Sequence, residues 1–355
     1  MVVPAEPETH TPRLNTVHLK IMMPTTLPPK RRIPAWLVRG GIFIVLGLLI
    51  WWALRKAPLE EIWRTLNGLS LWQAAALLLL TALYYLLSAL RWWVIVEANN
   101  KHVSYWPLFR VRVSVFGVSY FTLGPQVGGE PLQVLALQRK YGLTYTHATA
   151  AVLMDKLLEF FADFFLLALG LTAVLQAGIL FENGTQLTLS LTALAFLVAW
   201  PPIHLILLYN KRHPITAILS AIPFISGKSK WVRFLRASER LAGMFCQRHP
   251  RRLLLASGIS LMAAALMVAD YALMASFVGI QLSFWKTVAG WISGWLSLLM
   301  PLPGGLGAME ASQIFVLGRF GFSAATALSL ALLQRGRDIF VGGLGLFLAG
   351  RDLTK

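Results

Sequence analysis

Hydrophobic residues occur along the chain in long segments separated by short polar connections. The apolar runs 71–90 and 187–210 each reach the roughly 20 residues that a helix needs to cross a bilayer. Two other stretches, 106–137 and 284–318, are apolar to semipolar and are interrupted near the middle by glycine and proline. The whole pattern predicts six spanning helices, at about 37–54, 71–96, 148–178, 187–209, 253–279 and 323–349.

The two interrupted stretches predict broken helices. Proline and adjacent glycines remove helix hydrogen bonds, and the freed backbone groups cannot face lipid. A re-entrant hairpin would bury each break in the protein, whereas a pair of full spans is the alternative for each stretch. The expected fold is an all-α polytopic membrane protein with about six full spans and two re-entrant or paired-span hairpins.

Composition agrees with a membrane protein, because 57% of the residues are hydrophobic and only 13% are charged. An average soluble domain has about 25% charged residues. Much of the net charge of +17 lies in 211–252, where ten basic residues accompany one acid, Glu239. Such loops are typically cytoplasmic, so we assign this charge to membrane insertion and expect no nucleic-acid partner. The same rule predicts cytoplasmic termini in a plasma (inner) membrane protein.

These features divide the chain into four parts. Residues 1–34 form a proline-containing basic leader that we expect to be disordered. Membrane halves are predicted at 35–210 and 253–355, with the basic linker 211–252 between them. Apolar positions at helical spacing in this linker predict an amphipathic helix over 231–245, and residues 228–252 would contact anionic headgroups. A solvated linker helix is the alternative.

Segments 123–159 and 302–338 repeat one order of features. Each has a proline- and glycine-rich break that ends in a glutamate, followed by a helix with a basic and an acidic residue three positions apart. The matched positions are Glu130 with Glu310, Lys156 with Arg335 and Glu159 with Asp338. The two glutamates are separated by 180 residues, and the members of each of the other two pairs are separated by 179. This nearly constant separation indicates an internal duplication. The predicted spans place the two copies in opposite orientations, as an inverted repeat.

The repeated charges are the candidate substrate-binding site. An ionised side chain at the centre of a span costs about 2.5–3.5 kcal/mol, so these groups should face the protein interior. Lys156 and Arg335 would bind an anionic headgroup, while Glu159 and Asp338 would hold them in the unloaded state. A purely structural Lys156–Glu159 pair is the alternative. Four further buried charges are expected to support the site: Asp155, Asp163, Asp270 and Arg91.

Glu130 and Glu310 have two open interpretations. Either carboxylate could cap the amides of the short helix that it begins, or it could take part in proton coupling. Enzyme signatures are sparse: the seven histidines have no metal-ligand spacing, and Cys246 is the one cysteine. The glycine-rich segment 342–345 indicates close helix packing rather than a phosphate-binding loop. We therefore expect no metal, no cofactor, no catalytic residues and no enzymatic activity.

Three motifs carry a family resemblance: LGPQVGGEPLQVLALQRKYG, AVLMDKLLEFFAD and PLPGGLGAMEASQIFVL, followed by Arg335. They resemble the lysylphosphatidylglycerol synthase transmembrane-region family, also called flippase-like membrane proteins, over roughly 37–350. The resemblance implies movement of a phospholipid or of a polyprenyl- or hopanoid-type lipid between leaflets. The chain has Asp155-Lys156 where the family often has Glu-Arg. It also ends soon after the last predicted span, so we do not expect it to synthesise lysyl-lipid.

The resulting expectation is a flippase or transporter that binds an anionic lipid headgroup. One alternative is an accessory membrane protein that presents lipid to a partner lipid-modifying enzyme, with the basic linker as its docking surface. A membrane-embedded transferase is a third class, for which Glu130 is the one candidate acid-base group.

Overall fold

The computed structural model describes Trp51 and residues 59–99, 103–122, 128–176, 184–222 and 229–353. The predicted leader 1–34, nearly all of the first predicted span and residues 123–127 of the first glycine-rich break lie outside the described residues.

The described residues form helices and turns, with no strand. Twelve α-helices follow one another: α1 Leu59–Asn67, α2 Leu71–Asn99, α3 Tyr105–Phe121, α4 Glu130–Tyr141, α5 Tyr145–Gln176, α6 Gly184–Tyr209, α7 Pro214–Ala221, α8 Lys230–Arg248, α9 Pro250–Phe277, α10 Phe284–Ser297, α11 Ala308–Arg319 and α12 Ala324–Leu353. A short 3-10 turn, Pro303–Gly305, lies in the break between α10 and α11. The all-helical prediction is confirmed for these residues.

Among the described residues, two helices are long and apolar enough to cross a membrane by length and composition, over Leu71–Ala98 and Pro250–Phe277. Both direct large apolar side chains outward, including Leu78 and Leu79 on α2 and Leu254 on α9. Exposed apolar side chains of this kind suit a helix that faces acyl chains. Helices α5, α6 and α12 cover the other described spans that the sequence predicts.

Two sets of four helices follow the same order. Helices α2 to α5 form the N-terminal set, and α9 to α12 form the C-terminal set. Each helix of the second set begins 178 or 179 residues after its counterpart in the first. The turns between the third and fourth helices also agree: Gly142 has φ 66° and Gly321 has φ 91°, both in the left-handed region that glycine tolerates.

The first helices of the two sets, α2 and α9, pack side by side in opposite directions. Trp72 at the start of α2 contacts Phe277 at the end of α9, with ring centroids 5.3 Å apart. At the other end, Glu97 of α2 pairs with Arg252 of α9 at 2.9 Å. The two contacts fix an antiparallel arrangement of these equivalent helices.

The remaining helices of the two sets pack reciprocally. Helix α3 packs along α12, and its counterpart α10 packs along α5. The α3–α12 contact depends on small residues, because a Cβ added to Gly117 would come within 2.5 Å of Gly342 O and Leu346 N. The last helix of each set therefore packs along the second helix of the other set, which belongs to a predicted broken hairpin.

Helices α7 and α8 connect the two sets. The predicted amphipathic helix is observed as α8, but its apolar side packs on protein: Ala242, Phe245 and Cys246 join a core with residues of α2, α5 and α6. Trp231, which the periodicity placed on the apolar face, is 80% exposed. Glu239 is fully buried, where it accepts hydrogen bonds from Ile215 N at 2.8 Å and Thr216 N at 2.9 Å and so caps α7.

Candidate functional site

A dense group of buried charges surrounds helix α5. This helix carries Asp155, Lys156, Glu159 and Asp163, and the last three are spaced so that they lie on one face. Asp155, Glu159 and Asp163 are buried, and Lys156 is partly buried. The sequence prediction that these charges face the protein interior is therefore confirmed, and helices α2, α3 and α4 supply their partners.

Glu159 is the centre of this group. One of its carboxylate oxygens accepts hydrogen bonds from Arg91 Nη2 at 2.6 Å and from Arg112 Nη2. The other accepts from Lys156 Nζ at 2.8 Å. Three helices are thus joined through one carboxylate.

Asp155 also binds the two arginines that bind Glu159. Its Oδ1 accepts from Arg91 Nε and its Oδ2 from Arg112 Nη1, both at 2.7 Å. Arg112 Nε also donates to Ser88 Oγ at 2.7 Å. Removing one partner of a buried ion pair typically costs about 3–5 kcal/mol, so both guanidinium groups are firmly held.

Lys156 differs from the two arginines in being more exposed to the cavity. Its ammonium group lies 2.8 Å from Glu159 Oε1 and 3.2 Å from Glu130 Oε1, which accounts for two of its three donors. Its side chain is 15% exposed, against 3% for Arg91 and 7% for Arg112. Lys156 is therefore the cation of this network that can most readily bind a further anion.

The C-terminal set holds a second, smaller network. Arg335 Nε donates to Glu310 Oε1 at 2.6 Å, and Arg335 Nη1 donates to Gly304 O at 3.2 Å. Asp338 pairs with Arg337 at 2.7 Å rather than with Arg335. Arg337 also binds Asp270, so this arginine neutralises two carboxylates.

Matched positions show how far the two networks correspond. The Lys156–Glu130 and Arg335–Glu310 pairs are equivalent, because each joins the last helix of its set to the glutamate near the start of the preceding short helix. Arg91 and Asp270 also occupy matched positions, 179 residues apart, yet they carry opposite charges. The framework of the two sets agrees while part of the charge pattern is reversed.

Glu310 also caps a helix. Its Oε2 accepts a hydrogen bond from Gly307 N at 2.9 Å, at the start of α11. The capping interpretation is therefore confirmed for Glu310, which combines this role with the bond to Arg335. Glu130 contacts Lys156 through Oε1, and its Oε2 is buried without a hydrogen-bond partner.

A cavity lies between the two sets and gives access to these charges. It has about 160 Å³ of space for water-sized molecules. Its charged lining comprises Arg91, Arg112, Lys156, Arg337, Glu130, Glu159, Asp163 and Asp338. Aromatic side chains from both sets, including Tyr84, Tyr120 and Trp295, form much of the remaining wall. The cavity can thus offer cations to a polar group and aromatic surface to an attached apolar one.

The structure brings most, but not all, of the predicted site residues together. Of the two cations expected to meet, Lys156 lines the cavity, whereas Arg335 is buried outside the residues that line it. Glu310 stays with Arg335, and Arg337 takes the position on the cavity wall. Asp155 and Asp270 lie behind the wall and hold its arginines.

Sequence reasoning did not single out Arg112 and Arg337. Arg112 is in the first broken stretch, and its matched position holds Trp291, so comparing the two copies gave no signal. Its position in the eighth place of α3, well inside an apolar helix, is a signal that could have identified it. Arg337 was overlooked beside Arg335, although it is the neighbour of Asp338.

A family profile described as the lysylphosphatidylglycerol synthase TM region matches residues 37–345. The match includes every charged residue of the two networks. No curated protein and no solved structure matches the chain.

Proposed function

Since the chain belongs to the lysylphosphatidylglycerol synthase transmembrane-region family, an integral membrane family associated with lipids, we propose that it moves a lipid headgroup between the two leaflets of a membrane. The headgroup carries an anionic group, such as a phosphate, and the proposed role is transport rather than catalysis. The central observation is the cavity between the two helix sets, whose wall carries the partly exposed Lys156 beside three arginines.

The headgroup competes with carboxylates for Lys156. A phosphate oxygen that approaches the ammonium group replaces Glu130, whose contact at 3.2 Å is the longer of the two Lys156 pairs. Arg337 lines the same cavity from the other set, and its planar fork can bind a second oxygen when that oxygen displaces Asp338. The acyl chains stay in the bilayer while the charged end crosses.

The two sets form an inverted repeat in this proposal. Three observations support it: the matched helix starts, the antiparallel packing of α2 on α9, and the packing of the last helix of each set along the second helix of the other. The hairpin helices have 12 to 17 residues, fewer than the roughly 20 that span a bilayer, which favours re-entrant hairpins. Rocking of one set against the other would expose the cavity to each side in turn.

Orientation follows from the basic linker. Lys230, Arg233, Arg236 and Arg240 are exposed on α8, beside the exposed Trp231. An indole and several cations on one short helix suit the interface of an anionic cytoplasmic leaflet. We therefore propose a plasma (inner) membrane location with both termini in the cytoplasm.

The same exposed surface favours a second candidate function. A partner lipid-modifying enzyme with an acidic surface could dock on α8 and take lipid from the cavity. The protein would then present lipid without transporting it.

The experiment uses purified protein in liposomes containing fluorescent NBD-phosphatidylglycerol, with dithionite to quench the outer leaflet. We expect protein-dependent scrambling of the probe, and Lys156→Gln should slow it about tenfold or more, because loss of a charge-assisted contact costs at least about 1.4 kcal/mol. Arg139→Gln is the matched control, since Arg139 is an exposed cation on α4.

Three outcomes separate the candidate functions. Redistribution of the unaltered probe supports transport. A new lipid product, detected by thin-layer chromatography, would make the protein an enzyme. The third outcome is that the probe is neither moved nor altered in liposomes and that lipid is transferred only when a partner enzyme is added. This result would make the protein an accessory protein.

A further inference from the structure

Among the described acids of the cavity wall, Asp163 is the one without a paired cation. Glu130 pairs with Lys156, Glu159 with three cations, and Asp338 with Arg337. No basic side chain among the described residues lies within ion-pair distance, 4 Å, of Asp163. The residue nevertheless lines the cavity and is only 9% exposed.

The charge balance of the surrounding network leaves no cation for Asp163, because each cation is already matched by another carboxylate. Arg91, Arg112 and Lys156 are matched one for one by Asp155, Glu159 and Glu130. Each arginine is already bound to two carboxylates, and Lys156 likewise contacts two. Asp163 is a fourth acid added to a balanced set.

The charged and titratable groups that share the cavity wall with Asp163 come from several elements. On its own helix, Glu159 lies one turn away and Lys156 two turns away. Helix α2 presents Arg91 and Tyr84, α3 presents Arg112, α4 presents Glu130, and α12 presents Arg337 and Asp338. From α10, the Trp295 indole is its neutral polar neighbour, and the α9 residues on the cavity wall are uncharged. Glu159, one turn away on the same helix, is an ionised group of like sign and opposes a charge on Asp163.

A buried carboxylate without a partner is unfavourable, since the lost hydration is not replaced by a cation or by several hydrogen bonds. A protonated carboxyl group avoids this cost and still exchanges its proton with water in the cavity. The position of Asp163 on the cavity wall makes it accessible from whichever side the cavity opens to.

We propose that Asp163 binds and releases the proton that couples headgroup movement to a pH gradient, so that one proton and one anionic headgroup cross together. This inference rests on the proposed transport function. Asp163 takes its proton from the water on the loading side and is neutral when the headgroup reaches Lys156. After the cavity opens to the other side, Asp163 returns that proton to water and the headgroup leaves.

Linkage explains why the two ligands travel together. An anionic headgroup adds negative charge to the cavity, which favours the neutral form of Asp163. By reciprocity, protonated Asp163 removes a repulsive charge and raises the affinity for the headgroup by the same factor. Headgroup binding therefore strengthens as pH falls. Movement of a proton with a singly charged anion transfers no net charge across the membrane.

The main test uses the same liposomes with an imposed pH gradient. We expect the NBD-phosphatidylglycerol probe to accumulate in the leaflet on the alkaline side, with a limiting ratio of about tenfold for each pH unit. A potassium diffusion potential should leave the distribution unchanged. Asp163→Asn should abolish accumulation, Asp163→Glu should retain it, and Glu60→Gln, at an exposed carboxylate of α1, should behave as the parent protein.

A second measurement does not depend on the variant folding in liposomes. Calorimetric titration of the detergent-solubilised parent protein uses glycerophosphoglycerol, a phosphodiester that does not itself titrate near neutral pH, in buffers of different ionisation enthalpy. Proton uptake should be small near neutral pH, where Asp163 of the empty protein is already protonated, and should rise towards about one proton per bound ligand in alkaline buffers. Asp163→Asn should reduce this uptake to near zero.

The failures are distinguishable. If the parent protein scrambles the probe but ignores the pH gradient, or if Asp163→Asn accumulates it normally, the coupling role of Asp163 is wrong and transport stands. Binding of glycerophosphoglycerol to the parent protein without proton uptake in alkaline buffers would also overturn the coupling role. If the parent protein does not move the probe at all, the transport function and this inference both fall.

Discussion

Single glycines determine how closely the two helix sets approach. Gly345 of α12 lies against α3, where an added Cβ would meet Val113 O and come within 2.9 Å of Gly117 N. Gly343, two positions earlier on the same helix, has open space around its missing Cβ. The sequence indicated close packing for both residues and for Gly342, and the structure limits it to Gly342 and Gly345.

Alanine substitutions at these two positions form a matched pair. Gly345→Ala should lower stability by about 1–3 kcal/mol, because the contact is with backbone atoms that cannot move aside. Gly343→Ala should be neutral or slightly stabilising, since alanine is the better helix former. Thermal unfolding in detergent, followed by size-exclusion chromatography, measures both. Equal midpoints for the two variants would contradict the observed α3–α12 contact.

At the residue scale, the sequence was a good guide to which charges are buried and a poor guide to how they pair. Lys156, Glu159 and Asp155 could be assigned to the interior because ionised groups are expensive in lipid. Their partners could not be assigned in the same way, since Arg91, Arg112 and Glu130 are brought to them by three other helices. A spacing of three on one helix also suggested that Arg335 belongs with Asp338, whereas α11 supplies Glu310 to Arg335.

At the scale of the element, the sequence of helix α8 predicts the helix but not the surroundings of its apolar side. Its periodicity predicted an amphipathic helix, which is confirmed, but periodicity alone does not say whether the apolar side meets lipid or protein. The structure packs that side on α5 and α6 and leaves Trp231 exposed. Cys246 lies in this protein contact and is almost inaccessible.

The reactivity of Cys246 tests the packing of α8. Burial raises the pKa of the Cys246 thiol to about 11, and the thiolate is the reactive form. Maleimide labelling of the folded protein should therefore be slow near neutral pH and should become faster as the pH rises towards that value. Mass spectrometry of the intact protein measures the labelled fraction.

The control places a thiol on the opposite side of the same helix. Arg240→Cys in a Cys246→Ala background carries its thiol at an exposed position, so it should label rapidly at neutral pH. If native Cys246 labels as fast as this variant, then α8 does not pack on the protein as described.

At the scale of the whole molecule, the two helix sets carry matched caps at the starts of their last helices. Thr144 and Ser323 are matched positions at the starts of α5 and α12, and both are exposed. Their hydroxyl oxygens accept hydrogen bonds from the amides of His147 at 3.3 Å and Thr326 at 3.2 Å. In the proposed inverted repeat, these equivalent caps would lie on opposite sides of the membrane.

Cysteine accessibility tests the proposed inverted repeat. In a Cys246→Ala background, a membrane-impermeant maleimide added outside intact cells should label Ser323→Cys but not Thr144→Cys. Thr144→Cys should react only after the membrane is opened. Labelling of both positions from the same side would show that the two sets run in the same direction.

The predicted duplication depends on a few matched residues that keep a constant separation in the sequence. That separation also predicted the correspondence of whole helices, which begin 178 or 179 residues apart. The contacts between the sets were not predictable, since no short pattern reports that α3 lies against α12 or α10 against α5. Such contacts depend on how two complete surfaces fit together.

The reversed charges at Arg91 and Asp270 have a consequence for the proposed transport cycle. A carrier built from two identical inverted copies would spend equal time open to either side, because its two states would be images of each other. Here one copy anchors its wall with a cation where the other uses an acid. Under the proposed transport function, the empty protein would therefore occupy its two states unequally, with one of them preferred before any lipid binds.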